Sequence, residues 1–198
     1  EEKGLCLAAP LFGQAGDLED FAMIDISGGV GMGVINSGRF ISGTRGFAGE
    51  LGHITLVPNG LQCGCGNRGC LETVASDVAF SRLVMKKYPD LKNMDQIIEA
   101  GEAGTLNISE ELQQAIQTLA IGMGVVINLF NPSHIFVYGR LFDVQPGSFD
   151  DLLAKVKNHA IGPSVEKVSI VRARGSKRLG ALAAIIEYHM DTLAPRLG

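Results

Sequence analysis

One imidazole and three thiols crowd into a short stretch of this chain and constrain it more than any other feature. His53 is followed by Cys63-Gly-Cys65-Gly-Asn-Arg-Gly-Cys70. One nitrogen and three soft sulfurs make a four-coordinate set suited to zinc. Glycines at 64, 66 and 69 let the backbone bend tightly enough to aim three sulfurs at one point. Three thiolates against a dication leave a single net negative charge and no position for water, so zinc held there is structural rather than hydrolytic. Three free buried thiols, or one disulfide with a spare thiol, are the competing readings. The fourth cysteine, Cys6, is far away in sequence and reads as a small core hydrophobe.

The chain has 198 residues, enough for one large domain or two small ones with a substantial core. At 46% hydrophobic residues it is not a disordered chain. A formal net charge of -4, with no Lys/Arg-rich stretch, argues against a general nucleic-acid-binding surface. No apolar run reaches the roughly 18 residues of a membrane span, so none is expected. Clustered rather than scattered cysteines, and an opening Glu-Glu-Lys without a cleavable signal, lead us to expect a reduced, cytoplasmic protein.

Residues 21–27 read as a strand running into a glycine loop, Gly28-Gly29-Val30-Gly31-Met32-Gly33, with a hairpin partner at 33–36 returning at 39–42. Residues 43–72 have little periodicity and read as a long functional loop. Helices are predicted at 71–88, 93–101, 109–130, 148–160 and 178–194. Asn131-Pro132 ends the longest of them. Strands are predicted at 135–138 and 168–171. Strands alternating with helices indicate an α/β architecture, here in one lobe without repeats or linkers. His134, His159 and His189 read as structural or surface residues.

Gly49-Glu50-Leu51-Gly52-His53, followed by Cys63-x-Cys65-Gly-x-x-Gly-Cys70-x-Glu72, resembles the signature of the ROK family of bacterial sugar kinases and sugar-responsive repressors. The glycine loop and Asn131-Pro-Ser-His-Ile-Phe-Val-Tyr-Gly139 are similar to the family's phosphate turn and adenosine strand. The resemblance implies the carboxy-terminal lobe of an actin-like ATPase (ribonuclease H-like) fold over 1–198, with an inserted zinc- and sugar-binding loop at about 43–72. It implies an amino-terminal lobe, and in a repressor a DNA-binding domain, absent from this chain. It implies His53, Cys63, Cys65 and Cys70 as ligands of a structural Zn²⁺, and Glu50, His53 and Glu72 as sugar-binding residues. Carboxylates accept strong bonds from adjacent sugar hydroxyls, and a metal on one nitrogen of His53 fixes the other toward the sugar. A homodimer or homotetramer is implied as well.

Three departures separate the two branches of the family. The kinases' catalytic Asp falls, in an ungapped register on Leu11-Phe12-Gly13, at Glu1. Gly28 stands where the phosphate turn usually has Thr. Arg140 follows Gly139 where a second Gly is usual, a bulky neighbour for adenine. The expectation is therefore a sugar-sensing, oligomerising effector lobe of a transcriptional repressor, binding a hexose, an amino sugar or a sugar phosphate, and touching DNA only through the absent domain. The alternative is the carboxy-terminal lobe of an ATP-dependent sugar kinase, with ATP/Mg²⁺ held at Gly28, Gly29, Gly31 and Gly139. A stand-alone zinc-stabilised interaction module is the third reading.

Overall fold

A computed structural model describes residues 18–173. Its centre is a five-stranded sheet in the order β3-β2-β1-β4-β5. Strands β1 (Phe21–Asp25), β2 (Gly31–Asn36) and β3 (Arg39–Phe40) form an antiparallel meander. Strands β4 (His134–Tyr138) and β5 (Ser169–Arg172) extend β1 in parallel. The long connection from β3 to β4, which run parallel in the sheet, passes through helices.

Alternation along β1 sorts its side chains. Ala22 and Ile24 face the helices together with Met32, Val34, Ile135 and Val137. Phe21, Met23, Ile35 and Phe136 pack on the opposite face, where the rings of Phe21 and Phe136 meet edge-on at 5.8 Å. Both faces are covered, which is why these strands read as continuous apolar runs.

Helices α1 (Glu72–Ala75), α2 (Asp77–Lys87), α3 (Met94–Glu102), α4 (Ser109–Phe130), α5 (Ser148–Val156) and α6 (Gly162–Val165) fill the connections. By length and composition α4 is apolar enough to cross a membrane. Its Leu112, Ile116, Leu119, Met123 and Ile127 instead form the centre of the core. Asn131 ends it in the left-handed conformation, with φ 44.

Three predicted elements are shorter or split. The helix expected over 71–88 breaks at Ser76, whose extended backbone caps α2: its Oγ accepts from the Ala79 N–H at 3.0 Å. The helix expected over 148–160 stops at Val156, and Pro163 starts a separate turn. β1 ends at Asp25, whose carboxylate accepts from both the backbone and the hydroxyl of Ser27 and turns the chain into the glycine loop. The helix predicted at 178–194, Cys6, His189, Glu1 and the Leu11-Phe12-Gly13 register lie outside the described residues. His134 stacks on Phe136, and His159 hydrogen-bonds Gln117 at 2.8 Å.

Candidate sugar and metal site

The segment 43–72 is anchored more firmly than its lack of periodicity suggests. Gly49 lies against the start of β2, where the Met32 N–H donates to its carbonyl at 3.0 Å. Gly49 has φ +90, and a Cβ on it would meet the Met32 carbonyl at 2.0 Å, so only glycine fits. Leu51, buried, starts a 3-10 turn, Leu51–His53, that brings Glu50 and His53 to one side. Further on, isolated bridges pair Thr55 with Cys70 and Gln62 with Arg68. Leu71 is fully buried and donates to the Ile54 carbonyl, which places Glu72 at the first turn of α1 beside His53.

A cavity of about 210 Å³ results, lined by Gly29 to Met32, Ala48 to Glu50, His53 and Glu72. Glu50 Oε2 is 3.8 Å from His53 Nε2, and Glu72 Oε1 is 3.7 Å from His53 Nδ1. Two carboxylates and an imidazole therefore converge, with oxygens suited to accept from vicinal hydroxyls. Glu72 lies over Gly29: a Cβ there would come within 2.7 Å of Glu72 Oε2.

The ring of His53 is shared between two sets of groups. Its Nδ1 is 3.6 Å from Cys63 Sγ, and Cys65 Sγ is 3.7 Å from Cys70 Sγ. All four donor atoms lie within 4.8 Å of one another. Tetrahedral zinc, with bonds of about 2.3 Å to sulfur and about 2.1 Å to nitrogen, requires S···S near about 3.8 Å and S···N near about 3.6 Å. The four residues thus fit a zinc ion in number, chemistry and spacing. Burial pushes the Cys63 thiol up to about 12, helped by its hydrogen bond to Glu72 Oε1 at 3.0 Å. Burial also raises Cys70, while the backbone N–H of Asn67 lowers the exposed Cys65. Metal charge is what would ionise such a set, with release of protons.

Of the glycines predicted for nucleotide, Gly31 lines the 210 Å³ cavity, Gly29 lines it and a neighbouring one, and Gly28 lines the neighbour. Gly139 is elsewhere, packed on Ile26, whose Cγ1 a Cβ would meet at 2.1 Å. Beside it lies a third, largely apolar cavity of about 390 Å³, bordered by Ser27, Asp77, Met85, Met94 and Arg140. Arg140 pairs with Asp95 at 2.6 Å on the edge of this cavity.

Sequence reasoning missed Asp77. Its two oxygens accept the backbone N–H groups of Arg140 and Leu141, both at 2.8 Å, clamping the turn after β4 onto α2. Burial pushes its carboxyl up to about 6. The signal was present in Ser76-Asp77, a cap followed by an acid in the first turn, but a continuous helix was assumed across it.

The ROK family pattern matches residues 3–187. The chain is 30% identical to the xylose repressor of Bacillus subtilis (strain 168) over 188 residues, covering 92% of this chain and 48% of the repressor. In solved structures it is similar to a ROK family transcriptional regulator, a homologue of the Escherichia coli MLC protein, with TM-score 0.81, 29% identity, and coverage of 94% of this chain and 50% of that one. It is equally similar to the ROK hexokinase of Thermus thermophilus, with TM-score 0.82, 29% identity, and coverage of 96% and 66%. The chain spans about half the length of the curated relatives it matches. On the extent of the family match and the identity to the repressor, this chain belongs to the ROK family.

Proposed function

We propose that this chain is the effector-binding and oligomerising carboxy-terminal lobe of a sugar-sensing ROK repressor, with a structural zinc at His53, Cys63, Cys65 and Cys70. The observation that carries the reading is the position of His53 between two sets of groups: its Nδ1 is near Cys63 Sγ and Glu72 Oε1, and its Nε2 is near Glu50 Oε2, on the cavity. In this reading zinc, when bound, fixes the tautomer and tilt of the ring. Glu50, His53 and Glu72 then hold sugar hydroxyls. Binding favours one arrangement of the lobes over another, since a ligand shifts an equilibrium only by its differential affinity. The spacing of DNA-binding heads outside this chain changes with it.

The Arg140–Asp95 pair at the 390 Å³ cavity supports the repressor branch, because it sets a bulky paired cation beside the position expected for adenine. Similarity to the Thermus hexokinase favours the second reading, the corresponding lobe of a kinase using ATP and Mg²⁺. The test is Glu50→Gln in the intact protein, read as sugar-dependent release of operator DNA. The repressor reading expects that response to be lost with DNA affinity retained; an undiminished response contradicts it.

A further inference from the structure

We propose that Cys65 is an oxidation site: a hydroperoxide joins it to Cys70 as a disulfide, and the four-residue set then no longer holds a metal. This rests on the zinc assignment above and adds a modification to it.

The three thiols differ in access. Cys63 and Cys70 are buried, whereas Cys65 is exposed. A tight turn puts it there. The Cys63 N–H donates to the Asn67 carbonyl at 2.8 Å, and the Gly66 N–H donates to the Cys63 carbonyl at 3.1 Å. Cys65 therefore sits at the tip of a small hairpin, with a glycine on each side. A Cβ on Gly64 or on Gly66 would meet nothing within 4 Å among the described residues. A small solute reaches this sulfur without displacing a side chain.

The same geometry selects the second sulfur. Cys65 Sγ lies 3.7 Å from Cys70 Sγ, and a disulfide brings two sulfurs to about 2.0 Å. The hairpin tip has the room to close that gap. Cys70 is fixed in place: it bridges to Thr55, and its carbonyl accepts from the Thr73 N–H at 3.0 Å and the Thr73 hydroxyl at 2.7 Å. Cys63 is engaged elsewhere, with Glu72 Oε1 at 3.0 Å. An exposed thiol beside a second one is the arrangement on which oxidation stops reversibly at a disulfide.

The step balances with hydrogen peroxide as the oxidant. The Cys65 thiolate attacks one peroxide oxygen, the O–O bond breaks, hydroxide leaves, and Cys65 becomes a sulfenic acid. The Cys70 thiolate attacks that sulfur, the S–S bond forms, the S–O bond breaks, and a second hydroxide leaves. Two thiolates lose two electrons and one peroxide gains them. His53 and Cys63 alone do not complete a tetrahedral site. The disulfide with a spare thiol, a competing reading of the sequence, thus becomes the oxidised form of the same residues. Because His53 also borders the sugar cavity, oxidation weakens the sugar site with the metal site.

The test treats the intact, zinc-loaded protein with hydrogen peroxide. Freed zinc is followed with a chromogenic chelator, and disulfides are located by peptide mapping. The expected result is a Cys65–Cys70 bond formed in step with zinc release, and reversal by dithiothreitol with added zinc. Cys65→His keeps four nitrogen and sulfur ligands but cannot form this bond, so it should release zinc at least about tenfold more slowly. Zinc retained under peroxide, a disulfide at another pair, or equal release from Cys65→His overturns the proposal and leaves the zinc assignment intact. Should Cys65→His take up no zinc, the disulfide map of the unsubstituted protein decides. A reduced protein that takes up no zinc ends the zinc assignment and this proposal with it.

Discussion

His53 and Glu50 face each other across 3.8 Å through Nε2 and Oε2, at the boundary between the thiol cluster and the 210 Å³ cavity. Glu50 is thus carried on the same short turn as His53, one of the four residues that could hold a metal. The shape of the pocket then depends on what holds the four donors together.

One zinc per chain is expected on purification, measured by atomic emission. Its removal by chelator should lower Tm and abolish hexose binding together, because loss of the ion leaves His53 unoriented. Cys70→Ser, at a buried ligand, should do the same. Loading should release protons, since Cys63 and Cys70 are held as thiols without a cation. Titration of zinc in two buffers of different ionisation enthalpy measures that release; a set that binds without it contradicts the assignment of three thiolates.

Gly29→Ala separates the pocket from the fold. The added methyl meets the far end of a flexible side chain, Glu72 Oε2, so the carboxylate moves and the backbone stays. Stability should change by less than about 1 kcal/mol. Hexose affinity should fall about tenfold or more, the equivalent of one lost charge-assisted hydrogen bond. Calorimetry and thermal melts on one preparation read both.

Much of this was legible beforehand, for physical reasons that differ by element. The 3.6-residue spacing of Leu112, Ile116, Leu119 and Met123 defined α4 to the residue, because Asn131-Pro132 closed it. The crowding of three cysteines foretold a cluster, and the structure brings them together with His53. Asp77 and the break at Ser76 were hidden, because a serine cap inside an apolar run resembles a helix interior until the backbone is seen. The placing of Gly139 away from the other three glycines depends on the sheet order, which periodicity does not report.

Asp77 gives the fold a signed pH dependence. Its carboxyl, buried at the start of α2, is pushed up to about 6, whereas an unfolded Asp titrates near about 3.9. Between those values the folded state holds a proton that the unfolded chain releases. The contribution of this group to stability therefore rises as pH falls from about 7 to about 4, by at most on the order of 3 kcal/mol. Asp77→Asn removes that dependence and also costs a backbone acceptor, about 1–3 kcal/mol. Denaturant unfolding of both proteins from pH 8 to pH 4 should show the wild-type advantage growing toward acid. A constant difference would show that Asp77 titrates alike in the folded and unfolded states.

The most direct test of the account sets sugar binding against phosphoryl transfer in the intact protein. Glucose, mannose and N-acetylglucosamine and their 6-phosphates are titrated by calorimetry and then incubated with ATP and Mg²⁺. The account predicts binding of at least one of them, lost in Glu50→Gln, with no sugar-dependent ATP consumption. Turnover on any sugar above about 1 per second would contradict it: the chain would then be half of a kinase, with Arg140 no obstacle to nucleotide.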